Sequence, residues 1–214
     1  PILILGHTPP EQVGELIRLG ITQAVSAEAK AEAYSAEALR RGGTLKIHIK
    51  VDTGMSRLGF LCDGEHFEGG VDRIAHSCAL PGLDAEGIFT HFAVSDEPGE
   101  ENEAYTRRQF VLFCRVIDAL AEKGCTFALR HCANSGAVAY YPDTWLDMVR
   151  PGILLYGLTE MAEELGLKSV MSLKTCVSTI KTYEPGVTIS YGRLFTTRRR
   201  TRVGVLPIGY ADGF

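Results

Sequence analysis

The chain has 214 residues, 45% hydrophobic and 22% charged, enough to bury a sizeable core. A formal net charge of -4 gives no electrostatic footprint for nucleic acid. No run reaches the ~18 apolar residues that would span a membrane, and no signal peptide is visible.

Short apolar runs alternate with helical patterns along the chain. Ile2–Leu5 reads as a strand, and Pro10–Arg18 as a helix starting near Thr8 and ending at Gly20. Gln23–Ser26 is a second strand, and the Ala- and Glu-rich stretch Ala27–Arg41 is strongly helical. Leu45–Asp52 is a third strand, followed by a helix around Gly70–Ser77 and a fourth strand at Ala85–Phe92. Glu103–Lys123 is a long amphipathic helix closed by Gly124. Phe127–Cys132 and Asp147–Val149 supply the fifth and sixth strands. Such alternation argues for a parallel sheet with right-handed crossovers.

After Gly157 the texture changes. Val170–Thr182 has no helical period, Glu184-Pro185-Gly186 is a turn, and Ile189–Gly192 and Val203–Ile208 look like strands. Arg198–Arg200 and Arg202 lie between them and read as a solvated turn. The expected fold is therefore α/β: a partial (β/α)8 TIM barrel of about six units, then the start of an antiparallel β domain. The expected domains are residues 1–160 and 161–214.

The chain opens on Pro1-Ile2-Leu3-Ile4-Leu5, without an initiator Met, and stops after Ile208–Phe214. It reads as an internal piece of a longer protein. Placing the Asn134 and Arg150 loops after barrel strands seven and eight makes the first visible strand number three. Two units, roughly 60 residues at ~30 per unit, would then precede Pro1.

Cys62, Cys78, Cys114, Cys125, Cys132 and Cys176 form no C-x-x-C pair and do not cluster with His at ligand spacing. A reduced, cytoplasmic chain without a metal site is the expectation. The chemistry lies elsewhere. Lys46–Asp52 alternates ionisable and apolar residues, so one face of that strand is polar and points into the barrel lumen. The following segment, Asp52–Phe60, is a strand-end loop whose two glycines let backbone approach a ligand; a salt-bridged strand with a tight turn fits these residues equally well. His131-Cys132-Ala133-Asn134-Ser135-Gly136 and Arg150-Pro151-Gly152-Ile153 turn at small residues after apolar runs, as barrel strands do when they offer backbone N–H groups to a phosphate.

The run His48–Phe60 resembles the signature of bacterial alanine racemases, pyridoxal-phosphate enzymes of fold type III. Thr90-His91-Phe92-Ala93, His131–Ser135, Arg150–Ile153, Ser190-Tyr191-Gly192 and Leu206–Gly213 match in order and at fitting spacing. The resemblance implies racemisation of L- and D-alanine with pyridoxal 5'-phosphate, supplying D-alanine for peptidoglycan. It implies that Asn134, Ser135 and the backbone at Gly152 and Ile153 hold the cofactor phosphate, and that Arg150 faces the pyridine nitrogen. Tyr191 would be one of two catalytic bases, tuned by His91 and Arg150. Arg57 would bind the cofactor phenolic oxygen and the substrate carboxylate region. Lys50 matches a position often carbamylated, and Tyr210 resembles a tyrosine at the site entrance. The family's β domain covers the partner's barrel mouth, so a head-to-tail homodimer is implied, with Tyr191 and Tyr210 acting in trans.

One departure matters. No lysine here matches the family's Schiff-base motif, so the piece alone is expected to be inactive and to form no covalent link to the cofactor. Three other readings share parts of the pattern. A fold type III decarboxylase usually carries Glu-Pro-Gly-Arg where this chain has Arg150–Ile153. A serine racemase of the same family differs beyond Phe214. A non-catalytic cofactor-binding barrel fits poorly with Ser190-Tyr191-Gly192.

Overall fold

In a computed structural model, described over residues 1–213, the chain forms two compact units that divide between Ser169 and Val170. The first unit is a curled, all-parallel sheet. Its strands run β1 (Ile2–Ile4), β2 (Ile21–Val25), β3 (Leu45–Asp52), β5 (Leu83–Phe89), β6 (Leu129–His131), and the two-residue β4 (Phe60–Leu61) pairs with the end of β3. Helices α1 (Val13–Leu19), α2 (Glu28–Arg40), α3 (Phe67–Cys78), α4 (Glu100–Glu122) and α5 (Ser135–Tyr140) alternate with the strands. This is the expected partial barrel, followed by antiparallel strands.

The core lies between sheet and helices. Ile47, Ile49, Val51 and Ile88 pack with Tyr34, Val71, Ile74, Phe113, Val116 and Leu120, all buried. Each such side chain contributes roughly 1.5–3 kcal/mol on burial. The alternation of β3 follows: with its apolar face on the helices, His48, Lys50 and Asp52 go to the lumen, and all three are buried.

Several boundaries moved for local reasons. Pro10–Gln12 is a 3₁₀ turn, and α1 proper starts at Val13. Helix α4 begins at Glu100 because Gly99 turns the chain at φ 115°, and Glu100, Glu101 and Glu103 favour the positive end of the helix. The fourth predicted strand runs earlier, Leu83–Phe89, and Thr90–Phe92 leave the sheet.

Asp147–Val149 is not a strand. Leu146 turns at φ 51°, and Asp147 grips the Arg130 backbone N–H and guanidinium. Among the backbone hydrogen bonds of the described residues, only Asp147 N–H to Arg130 O and Arg150 N–H to Ala133 O tie the segment to β6 and the residues after it. They are three residues apart, too sparse for a ladder.

In the second unit, β7 (Thr179–Tyr183) pairs antiparallel with β10 (Thr201–Val205), and β8 (Thr188–Ile189) with β9 (Phe195–Thr196). Residues 170–178 form no strand, Tyr191–Arg193 is a 3₁₀ turn, and 206–208 lie past β10. The Glu184-Pro185-Gly186 turn forms, with Gly186 at φ 89°, and is held by buried Thr197, whose Oγ1 donates to Glu184 O at 2.7 Å.

Candidate active site

The polar residues collect at the C-terminal ends of the parallel strands. Two loops are shaped first. Asp52 Oδ1 accepts from the backbone N–H groups of Gly54 and Ser56, both at 3.0 Å, and so folds the loop that carries Arg57. Tyr105 of α4 donates to Gly54 O at 2.7 Å. Gly59 closes the loop where a Cβ would lie 2.5 Å from Asp52 N, so only glycine fits, at φ 134°. The second loop, His91–Ala93, hangs on buried Gln109 of α4. Its Nε2 donates to His91 O and Thr53 Oγ1, and its Oε1 accepts from Ala93 N. Sequence reading missed Gln109, whose only signal was a polar residue on the inward stripe of an amphipathic helix.

Arg150 is the hub. Its Nη1 donates to His131 Nδ1 at 2.6 Å. Its Nη2 donates to Thr90 O at 2.8 Å and Cys132 O at 3.2 Å, and lies 3.4 Å from His91 Nδ1. Its Nε is buried and, among the described residues, has no partner. Phe89 anchors the floor: its ring stacks on His131 (centroids 4.8 Å, 5° between planes), with Lys50 Nζ 5.4 Å and Arg150 Cζ 5.3 Å from its centroid.

This crowd of cations sets the protonation states. Burial, then the charge of Arg150, pushes His131 down to about 2, and burial with Arg150, Lys50 and Arg57 pushes His91 down to about 4. Both rings are neutral at pH 7. Burial, Arg57 and Arg150 likewise lower Lys50, against the opposing pull of Asp52. Burial lowers Arg150 to about 10, which leaves it charged at neutral pH.

Asn134 and Ser135 open α5. Asn134 Oδ1 caps Ala137 N–H at 3.2 Å and accepts from Ser95 at 2.6 Å. Ser135 Oγ accepts from Leu154 N–H at 3.2 Å, which ties the 3₁₀ turn Ile153–Tyr156 to the helix start. Gly152 and Ile153 are exposed beside it.

The first unit thus brings together His91, Arg150, Lys50 and Arg57, and sets Asn134, Ser135, Gly152 and Ile153 side by side. Tyr191 and Tyr210 belong to the second unit, where they are 93% and 92% exposed.

A partial α/β barrel whose C-terminal rim gathers neutral histidines around a charged, half-buried arginine defines the class: a barrel protein with an arginine-centred polar mouth. The model of the alanine racemase N-terminal domain matches residues 1–160, and that of the C-terminal domain matches residues 170–214. The chain belongs to the alanine racemase family. It is 45% identical to the alanine racemase of Desulforamulus reducens and 42% identical to that of Clostridium tetani, aligning over 100% of its own length and over 57% and 54% of theirs. Among solved structures, alanine racemase from Streptomyces coelicolor A3(2) superposes with a TM-score of 0.82 at 30% identity, over 99% of this chain and 55% of that one. Alanine racemase of Clostridium difficile 630 gives 0.78 at 37% identity, over 100% and 55%. The chain spans about half the length of the relatives it matches.

Proposed function

We propose that this chain serves the interconversion of L- and D-alanine with pyridoxal 5'-phosphate, a route to D-alanine for the cell wall. The observation that carries the reading is Arg150, a half-buried side chain whose buried Nε–H has no partner among the described residues. Leaving such a donor unsatisfied costs about 1–3 kcal/mol, and a ring-nitrogen acceptor would satisfy it. The residues therefore fit the cofactor. When bound, it would supply an electron-withdrawing ring that weakens the α-carbon–hydrogen bond of the amino acid.

The chain's own residues do the rest. Arg150 donates to the ring nitrogen and, being always charged, disfavours a proton there. That tempers electron withdrawal, which suits a reaction whose only outcome is return of a proton. Asn134, Ser135 and the backbone at Gly152 and Ile153 hold the phosphate where two short helical starts converge. Arg57, on a loop braced by Asp52, reaches the phenolic oxygen and the substrate carboxylate. Tyr191 moves a proton at one face of the α-carbon, with His91 and Arg150 easing its ionisation; the opposite face needs a second base. Tyr210 lines the entrance. Lys50, 4% exposed and surrounded by positive charge, has its ammonium form disfavoured. A neutral amine is the form that takes up CO2, and a carbamate there would turn repulsion of Arg57 into attraction. The first unit would form the cofactor-binding domain and the second the β domain. The exposure of Tyr191 and Tyr210 within their own unit suits residues that complete a second subunit's site in a head-to-tail homodimer.

The full-length protein, loaded with cofactor and given L-alanine in D2O, is expected to exchange the α-hydrogen for deuterium and produce D-alanine without releasing CO2. Tyr191→Phe should lose most of this rate. Cofactor binding with no exchange would overturn the reading in favour of a binding protein, and CO2 release would favour a decarboxylase.

A further inference from the structure

Behind Arg150 a chain of polar groups runs through the barrel interior. His131, 0% exposed, places its Nε2 2.8 Å from His48 Nδ1. His48, 3% exposed, turns its Nε2 toward Glu86 Oε1 at 3.7 Å, an electrostatic contact beyond hydrogen-bond length. Glu86 is held from the other side by Lys46 Nζ at 2.6 Å and Thr22 Oγ1 at 2.8 Å.

Two backbone features build this arrangement. Pairing of β3 with β5 skips a residue, Ile47 opposite Ala85 and His48 opposite Gly87, so Glu86 is the extra residue of a bulge. The bulge re-aims the carboxylate toward His48. Beside it, a Cβ on Gly87 would stand 2.5–2.6 Å from three atoms of the His48 ring. A glycine there makes room for the imidazole.

The hydrogen bonds have only one consistent direction. Arg150 can only donate, so His131 Nδ1 is bare and the proton of its neutral ring sits on Nε2. That N–H donates to His48 Nδ1, which leaves the His48 proton on Nε2, facing the carboxylate. The reverse tautomers would set N–H against N–H at Arg150 and turn a lone pair toward Glu86.

We infer that Glu86 and His48 are positioning residues for Arg150: through them the bulge locks both lumen imidazoles in the Nε2–H form, so that His131 offers the guanidinium an acceptor. The inference rests on the proposed function for the purpose of Arg150, and on the geometry for the rest.

The test is long-range 1H–15N spectroscopy of the 15N-labelled chain, with ring resonances assigned by single His→Gln variants. Both rings are expected in the Nε2–H tautomer. Glu86→Gln, which keeps the side chain's size but removes the charge that acts across 3.7 Å, should shift them in the same direction as Glu86→Leu but by less. Glu86→Leu should move proton density to His48 Nδ1 and speed solvent exchange of the Arg150 guanidinium protons at least tenfold, with the backbone amide spectrum otherwise retained. A wild-type spectrum with Nδ1–H on His131 overturns the inference, whether or not Glu86→Leu folds. So does a folded Glu86→Leu with unchanged tautomers and exchange. These spectra need no cofactor. Failure of the full-length protein to bind pyridoxal 5'-phosphate would overturn the functional reading while leaving the relay intact.

Discussion

Gly87→Ala tests the packing on which the lumen depends. Gly87 is in the middle of β5, buried, and outside the left-handed region, so alanine is strained by its surroundings alone. The added Cβ would meet His48 Nδ1, Cε1 and Nε2 at 2.5–2.6 Å, where the ring has no free volume and is tied to His131. Overpacking of this kind costs about 1–3 kcal/mol. Displacing the ring would also strand His131 Nε2, for about 1–3 kcal/mol more. Replacing glycine within a strand returns roughly 0.5–1 kcal/mol. The net is a loss of about 3 kcal/mol, a large part of the 5–15 kcal/mol typical of a domain. At a urea slope of roughly 1–3 kcal/mol/M, the midpoint should fall by about 1–3 M. Trp145, the single tryptophan, lies in the first unit and reports its unfolding by fluorescence. Gly6→Ala is the control, because a Cβ there meets nothing within 4 Å. A Gly87→Ala midpoint within about 0.5 kcal/mol of wild type would refute the account of the lumen.

Adjacent glycines in α3 should respond with opposite signs in the same urea assay. Gly69 is exposed, with Arg73 Nη1 at 3.7 Å, so Gly69→Ala should stabilise by about 0.5–1 kcal/mol. Gly70→Ala should destabilise by about 1–2 kcal/mol net, because its Cβ would fall 2.3 Å from Leu61 O, a backbone atom that cannot turn aside. Stability should also fall with acid. His131 and His91 have folded values of about 2 and 4, below the ~6.5 of an unfolded histidine. Their contribution is complete above pH ~6.5 and is lost as pH falls, by up to ~1.4 kcal/mol per pH unit for each ring. Urea midpoints at pH 7, 6 and 5 should decline, less steeply in His131→Asn; a flat profile would contradict the assignment. Cysteine labelling of the native chain should reach exposed Cys176 first. Cys62 and Cys132, buried with thiols pushed up to about 12, should react only on unfolding, as mass spectrometry after alkylation would show.

The sequence by itself determined the parallel α/β class and the polar face of β3, whereas the residues of the arginine-centred mouth were legible only through resemblance to a known family. The first two features are local. Period-two alternation in 45–52, helical period in α2 and α4, and small-residue turns at 134–136 and 150–153 follow from covalent geometry and propensity, wherever the rest of the chain lies. Tertiary structure alone decided what those residues touch. Asp147–Val149 looked like a strand, but the grip of Asp147 on Arg130 replaced its ladder. Gln109 was indistinguishable from any polar helix residue until its amide met three loop groups. The His48–His131 contact joins residues 83 apart in sequence. Glu86 became its neighbour through a one-residue slip in strand pairing, which no periodicity encodes because only the register between two distant strands creates it.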